Sequence, residues 1–344
     1  MATRLMGLSR FKFFLLVLIA VIFISYQYLT LQYTVLNINH KGYILEIFPK
    51  ENFKSVLAKL TKDQILSKTT QYTLYALSKV NKYDRKIKAG EYLVLPGTTA
   101  VQLLKQLLEG KVLLHKFTIV EGLRFDQVLA ALQQNSKIQQ TLTNATCQEV
   151  LGAINRSIVG SETEECEGLF LPNTYLFAKN TKDIAVLQDA YDAMENKLNI
   201  LWNSSSTKGV LKSRYEVLIM ASIIEKETAI IEEMNKVSGV YHKRLQTGMP
   251  LQADPTVIYG LKVFDRPLNY SDLKQTSDYN TYRNKGLPPT PIAMPSISAI
   301  VAALNPTEDD NLYFVADGSG GHVFSASLEE HNKAVSEIRS NRTH

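Results

Sequence analysis

Two cysteines, Cys147 and Cys166, are all that the 344 residues contain, and they form no C-x-x-C pair. That spacing excludes a zinc ribbon and a thioredoxin-like redox motif. It leaves open either a single bridge formed outside the cytoplasm or two buried or free thiols. Histidine is also scarce: the six residues show no H-x-x-x-H or similar spacing, so no metal centre is expected. There is no Walker or dinucleotide motif, and no cofactor is implied. Nor is there a long run of Lys and Arg, and a net charge of +5 is mild for this length. Nucleic acid is therefore not an expected partner, whereas an anionic polymer is compatible with the charge. Internal repeats and extended low-complexity tracts are missing as well. What remains is ordinary globular sequence, 45% hydrophobic and 21% charged, able to bury a real core in one large or two modest domains.

Long hydrophobic runs are rare too, and the single exception is informative. Phe13 to Ile24 is unbroken apolar sequence, continued more weakly to Leu31. At ~1.5 Å per residue this segment is about 28 Å long, close to the ~30 Å hydrocarbon core of a bilayer. Tyr26, Tyr28 and Tyr33 fall where an aromatic belt is expected. Arg4, Arg10 and Lys12 precede the run, and no Lys or Arg follows before Lys41. The positive-inside rule then predicts residues 1–12 in the cytoplasm, a span over 13–33, and the rest outside. No small-x-small site follows Ile24, which favours an uncleaved anchor over a signal peptide. Val217 to Ile224 is too short for a second span and reads as a buried helix.

Beyond the anchor the periodicities are short and mixed. Phe53, Val56, Leu57 and Leu60 fall at i, i+3, i+4 and i+7, so they are core candidates on one helix. Residues 70–80 and 99–109 form two more amphipathic patterns, the latter stopped by Gly110 as a candidate C-cap. Short strand patterns lie between Tyr33 and Pro49 and over residues 90–97. Together these predict a small α+β module over 34–115. A larger domain over 116–340 follows, with a strand at 117–120, helices over 121–133 and 183–201, and a polar, poorly periodic insert at 134–165.

The chemistry-bearing element is predicted next. Ser213-Arg214-Tyr215-Glu216 fits an S-x-x-E capping box. The run from Tyr215 to Ile224 is apolar on nearly every face and ends in Glu225-Lys226-Glu227. At about 100° per residue, Glu225 and Glu227 point roughly 160° apart, so they do not line one narrow cleft together. Geometry alone leaves open which of them lines a site. A carboxyl at the end of an apolar helix is disposed to keep its proton, because desolvation and the negative helix end both disfavour the ion. A general acid near neutral pH needs that shift. The bland alternative is two surface glutamates paired with Lys226. Downstream, polar and aromatic clusters in turn-prone sequence (residues 252–256, 278–282, 286–291 and 316–322) suit a carbohydrate cleft.

Several of these segments, in order, carry a resemblance. Residues 221–228 (ASIIEKET) resemble the signature of the endolytic murein transglycosylases, the YceG-like proteins, and residues 251–260 (LQADPTVIYG) are similar to a second signature. YNTY at 279–282, GLPP at 286–289 and YFVADG with GGH up to His322 follow in the family order. Upstream, EGLFLPNTY at 167–175 resembles a further family segment, with Asn173 where Asp is usual. The resemblance is dense over 117–335; upstream of that it holds in layout only.

The resemblance implies an α+β protein: a transmembrane helix, a LysM-like glycan-binding subdomain over 34–115, and a mixed α/β catalytic domain over 116–340. It selects Glu227 as catalytic, with Glu225 holding the helix end. Gln252, Asp254, Asn280, Tyr282 and His322 are the expected substrate-binding residues. The implied substrate is the β-1,4 bond between N-acetylmuramic acid and N-acetylglucosamine in nascent glycan strands, cut to leave 1,6-anhydro ends. The implied place is the bacterial inner membrane, catalytic part periplasmic, with peptidoglycan synthases as possible partners. Rival readings are a hydrolytic muramidase using Asp254 as second carboxylate and a non-catalytic glycan-binding scaffold. Sequons at Asn144, Asn155, Asn203, Asn269 and Asn341 would fit a type II glycoprotein, but such matches are common by chance.

Overall fold

The structure is a computed structural model. It describes residues 14–341 except 16, 20, 23, 24, 27, 157–164 and 206–209. The chain divides into two compact units, Met1–His115 and Lys116–His344, and its content is mixed α+β.

In the first unit, strand β1 (Tyr43–Ile47) is followed by helices α1 (Phe53–Lys62) and α2 (Lys68–Val80), strand β2 (Gly90–Val94) and helix α3 (Ala100–Glu109). β1 and β2 pair antiparallel, with Leu45 opposite Tyr92. Alternation sends Leu45, Ile47, Tyr92 and Val94 inward. Phe53, Val56, Leu57 and Leu60, the four residues that period 3.6 placed on one face, are all buried with them. Side chains of Asn52 and Ser67 cap α1 and α2. Thr99 and Gln102 close a reciprocal capping box on α3, and Gly110 ends it at φ 71°, a left-handed position that glycine adopts without strain.

The predicted span over 13–33 falls partly outside the described residues. Its described residues up to Tyr33 are helical, and among the described residues no helix is long and apolar enough to cross a membrane.

β3 (Leu114–Ile119) runs across the division between the units, and the second unit continues with α4 (Phe125–Gln134), β4 (Ile138–Gln139), α5 (Cys147–Ala153), β5 (Asn173–Ala178), β6 (Thr181–Lys182) and α6 (Asp183–Ser204). α7 (Arg214–Glu227), α8 (Ile231–Thr247), α9 (Asp254–Leu261) and α10 (Ile297–Leu304) come next, closed by β7 (Tyr313–Ala316), β8 (His322–Ser325) and α11 (Leu328–Asn341). The strands form pairs: β3 with β5, β4 with β6, β7 with β8.

α7 is the axis of this unit. Eight consecutive residues, Val217 to Ile224, are buried; α6, α8, α9 and α10 pack around it. A helix apolar on all sides needs such a surround. Ser213 caps it as predicted by accepting from Glu216 N, but the Glu216 carboxylate accepts from Lys212 N instead of from Ser213 N, so only half of the predicted capping box forms. Ser222, a polar residue inside the apolar run, donates to Ile219 O and accepts from Ile292 N, so its burial leaves no orphan. Gly239 on α8 has a steric reason: a Cβ there would lie 2.6 Å from Thr307 O.

The sequence left the cysteines open; here Cys147 and Cys166 are joined. The bridge ties α5, inside the polar insert, to the segment that starts β5. For a separation of 19 residues the chain-entropy effect is about 3 kcal/mol. Reduction is expected to lower the unfolding free energy by about that much, read as a lower urea midpoint at unchanged slope. An unmoved midpoint would mean that the bridge does not constrain the unfolded chain.

Candidate functional site

Glu227 is the last residue of α7, and Thr228 behind it is extended, with its N–H bonded to Ile224 O. The helix therefore delivers the carboxyl at its negative end, half-buried, with the chain turning away at once. Glu227 Oε1 accepts a hydrogen bond of 2.6 Å from the Tyr241 hydroxyl. Tyr241 lies in the middle of α8 and is 1% exposed. Burial pushes the Glu227 carboxyl up to about 7; the Tyr241 bond opposes that, the Asp254 charge adds to it, and the Arg244 charge opposes it. The protonated acid and its carboxylate are thus both accessible near neutral pH.

Arg244 stands one turn after Tyr241 and is 6% exposed. Its guanidinium meets carbonyls: Nε donates to Leu312 O at 2.7 Å and Nη1 to Leu251 O at 2.6 Å. It also lies over the Tyr313 ring at 5.3 Å. One side chain therefore ties α8 to the approach to β7 and to the loop before α9. That loop presents Gln252, exposed and at φ 52°, with its N–H on Thr281 O at 3.1 Å. Asp254 opens α9, exposed, and accepts from the Tyr282 hydroxyl at 2.6 Å. Asp254 and Tyr282 both act electrostatically on the neighbourhood of Glu227. Desolvation first, and then the Asp254 bond, hold the Tyr282 phenol above its ordinary range, so it remains a donor.

Of the seven residues expected at the site, Glu227, Asp254 and Tyr282 are brought together, and Gln252 stands on the same loop as Asp254. Asn280 has a different job. It is fully buried, its amide donates to Leu273 O and Gln275 O, and its Oδ1 accepts from Tyr282 N. It shapes the loop that carries Tyr282 and has no amide hydrogen left for a ligand. His322 is committed to Glu233: its Nδ1 lies 2.8 Å from Oε2 and its N–H donates to Oε1 at 3.1 Å. It reaches the Glu227 neighbourhood through rings, since Phe314 lies edge-on to both His322 and Tyr241. Glu225 accepts from Ser296 N at 2.9 Å. Ser296 is the residue that caps α10, so Glu225 pins α7 to α10 on the side away from Glu227, in keeping with the wide angle between the two carboxylates. Lys226 reaches Gly122 O at 3.3 Å. Among the described residues no group of His, Cys, Asp and Glu could hold a metal ion.

Sequence reasoning passed over Tyr241, Arg244 and Glu233, whose partners lie on other elements and, for Leu312 and His322, 68 and 89 residues away, and it also passed over Glu167. The Glu167 carboxyl is 5% exposed and takes Phe125 N on both oxygens at 3.1 Å, the first N–H of α4. Burial pushes it up to about 7; the Phe125 bond opposes, Asp126 adds, and Tyr259 and Arg124 oppose. Gly168 beside it lies at φ 77°, where a Cβ would meet Pro291 at 2.7 Å. Two carboxyls thus stand near 7 in the folded chain against 4.5 for a free one. Between those values the folded chain holds protons that the unfolded chain has released, so stability falls as pH rises through the window. Glu167→Gln is expected to flatten that fall: its thermal midpoint should change less between about pH 5 and about pH 8 than the parent's. Equal slopes would mean that Glu167 titrates as if in water.

The sequence matches the YceG-like family over residues 45–337. An endolytic murein transglycosylase of Bacillus subtilis is 34% identical over 262 residues, 72% of this chain and 72% of that protein. One from Streptococcus pneumoniae is 29% identical, aligned over 95% of this chain, which spans 64% of that longer protein. A crystal structure of a yceG-like protein from Listeria monocytogenes is 28% identical, with a TM-score of 0.55, covering 86% of this chain and 99% of that one. A family model matched over residues 45–337 and a relative 34% identical over 72% of each chain show that this chain belongs to the YceG-like family.

Proposed function

We propose that this chain is an endolytic murein transglycosylase that cuts peptidoglycan glycan strands, with Glu227 as its acid and base. The observation that carries the reading is one half-buried carboxyl at the end of an apolar helix, tuned to about 7 and held by a buried phenol. The names of the Bacillus and Streptococcus relatives support the substrate.

The reaction needs a single carboxyl used twice. Protonated Glu227 gives its proton to the glycosidic oxygen as the bond to C1 of N-acetylmuramic acid breaks. The 6-hydroxyl of the same sugar attacks C1, and its proton returns to the Glu227 carboxylate. The product is a 1,6-anhydro end, no water is consumed, and the enzyme is restored. A group near 7 suits both halves, since neither proton transfer is strongly uphill. Ordinary glycosidases need a second carboxylate to activate water or to form a glycosyl-enzyme; here Asp254 is occupied by Tyr282 and fits a role in orienting substrate. Gln252, exposed two residues before Asp254, and Tyr282, bonded to Asp254, are assigned to the same role.

The first unit supports a LysM-like, glycan-holding role through its β–α–α–β arrangement. Membrane anchoring by 13–33 is supported by the exposed apolar side chains of Leu15, Val17, Leu18, Ile19, Val21 and Ile22. The Cys147–Cys166 bridge fits the oxidising side of a bacterial envelope. An enzyme placed there would meet strands as they leave the synthases.

The test is the size distribution of uncrosslinked glycan strands incubated with the full chain. Endolytic cutting gives strands of intermediate length early. Binding without any shortening would favour the scaffold instead.

A further inference from the structure

Glu227 has two oxygens, and the chemistry above needs its proton on the one that faces the sugar. Resting on that reading of Glu227, we propose that Tyr241 is a positioning residue: by donating to Oε1 it confines the acidic proton to Oε2 and later holds the carboxylate while the 6-hydroxyl attacks.

The geometry fits this role and little else. Tyr241 is 1% exposed, so its hydroxyl cannot touch a polysaccharide. It has one hydrogen, given to Oε1 at 2.6 Å. The ring is fixed by the edge of Phe314 at 5.9 Å, and Arg244 one turn later anchors that part of α8 to Leu251 and Leu312. Burial drives the phenol well above its ordinary range, so it remains a donor throughout the cycle. An oxygen that accepts such a bond is the carbonyl-like one, which leaves the other to carry the proton. Once the proton has gone, the bond becomes charge-assisted and shortens the anion's reach for any other donor. The other charged or titratable groups that bear on the carboxyl are Asp254 from α9, Arg244 from α8 and Tyr282 from the following loop. Tyr241 is the one among them that bonds it directly.

The experiment uses the full chain in detergent. Tyr241→Phe is expected to lower kcat about 10- to 100-fold at little change in KM, the effect of losing one hydrogen bond to a charged group. The alkaline limb of the pH–rate profile should move up by about one to two pH units, because the anion has lost its donor. In a Glu227→Gln background the same change should have no further effect on the residual rate. A parent enzyme that is active, with a Tyr241→Phe variant of equal kcat and an unmoved limb, overturns the proposal. If the parent itself forms no anhydro ends, the functional reading has failed. The positioning claim is then read by isotope-edited infrared titration of Glu227, whose midpoint must still rise in Tyr241→Phe. Should that variant fail to fold, fluorotyrosine at 241 keeps the ring and strengthens the donor. The midpoint must then move down, and an unmoved one overturns the proposal.

Discussion

Glu227→Gln is expected to abolish anhydro-end formation while leaving the fold intact. The amide keeps the size and shape of the side chain, and its carbonyl can still accept from Tyr241, so the ring contacts of Tyr241 and Phe314 survive. What is lost is the proton, needed in both halves of the reaction. General acid–base catalysis contributes roughly 10²–10⁴-fold for a single transfer. With one group serving two transfers, the rate should fall at or beyond the upper end of that range. Stability should move the other way above neutrality. The parent must bury a carboxylate once pH passes about 7, and the amide need not, so the variant's melting temperature at about pH 8 should equal or exceed the parent's. Substantial residual rate in a folded Glu227→Gln protein would remove Glu227 from the chemistry. Glu225→Gln, by contrast, weakens one bond to Ser296 N and should cost far less activity.

Arg244→Ala should be the most damaging change to stability around the site. The guanidinium donates to the buried carbonyl of Leu251, seven residues on, and to the part-buried carbonyl of Leu312, 68 residues on, and truncation removes both bonds. Hydrogen bonds from charged groups are worth about 1.5–3 kcal/mol each, and an unsatisfied buried carbonyl adds to the loss. A total of about 4 kcal/mol follows, equivalent to a drop of roughly 10 °C in the midpoint of a domain this size. Activity should suffer beyond what stability explains, because the Leu251 bond fixes the loop that carries Gln252 and Asp254. Arg244→Lys should recover only part, since an ammonium on a flexible stem cannot reproduce the two-pronged geometry. Calorimetry of the three proteins checks this, and an Arg244→Ala midpoint within a degree of the parent would contradict it.

The elements were legible in the sequence to different depths, for physical reasons. α7 announces itself: Ser213 caps it, the apolar run surrounds it, and three charges end it. α1 and α3 are equally plain, because a single buried face repeats at 3.6. The site is harder to read. The wheel could say only that Glu225 and Glu227 diverge; their separate partners, Ser296 and Tyr241, are set by tertiary packing. Tyr241 and Arg244 sit on an ordinary amphipathic helix and carry no local signal, because Arg244 meets a carbonyl 68 residues away. Asn280 and His322 show the converse. Polar residues in turn-prone loops looked like cleft lining, yet the amide of Asn280 closes its own loop and His322 is held by Glu233, 89 residues earlier. Spacing alone could not join Cys147 to Cys166, since pairing depends on tertiary packing that brings the two residues together.

The central claim is that one carboxyl, Glu227, closes the anhydro ring without water. The most direct measurement is a digest of uncrosslinked glycan strands by the full chain in heavy-oxygen water, with the new ends weighed by mass spectrometry. The account predicts 1,6-anhydro ends that contain no heavy oxygen and that vanish with Glu227→Gln. Reducing N-acetylmuramic ends that carry the label would contradict it, because water would then be the attacking group and a second carboxylate its activator.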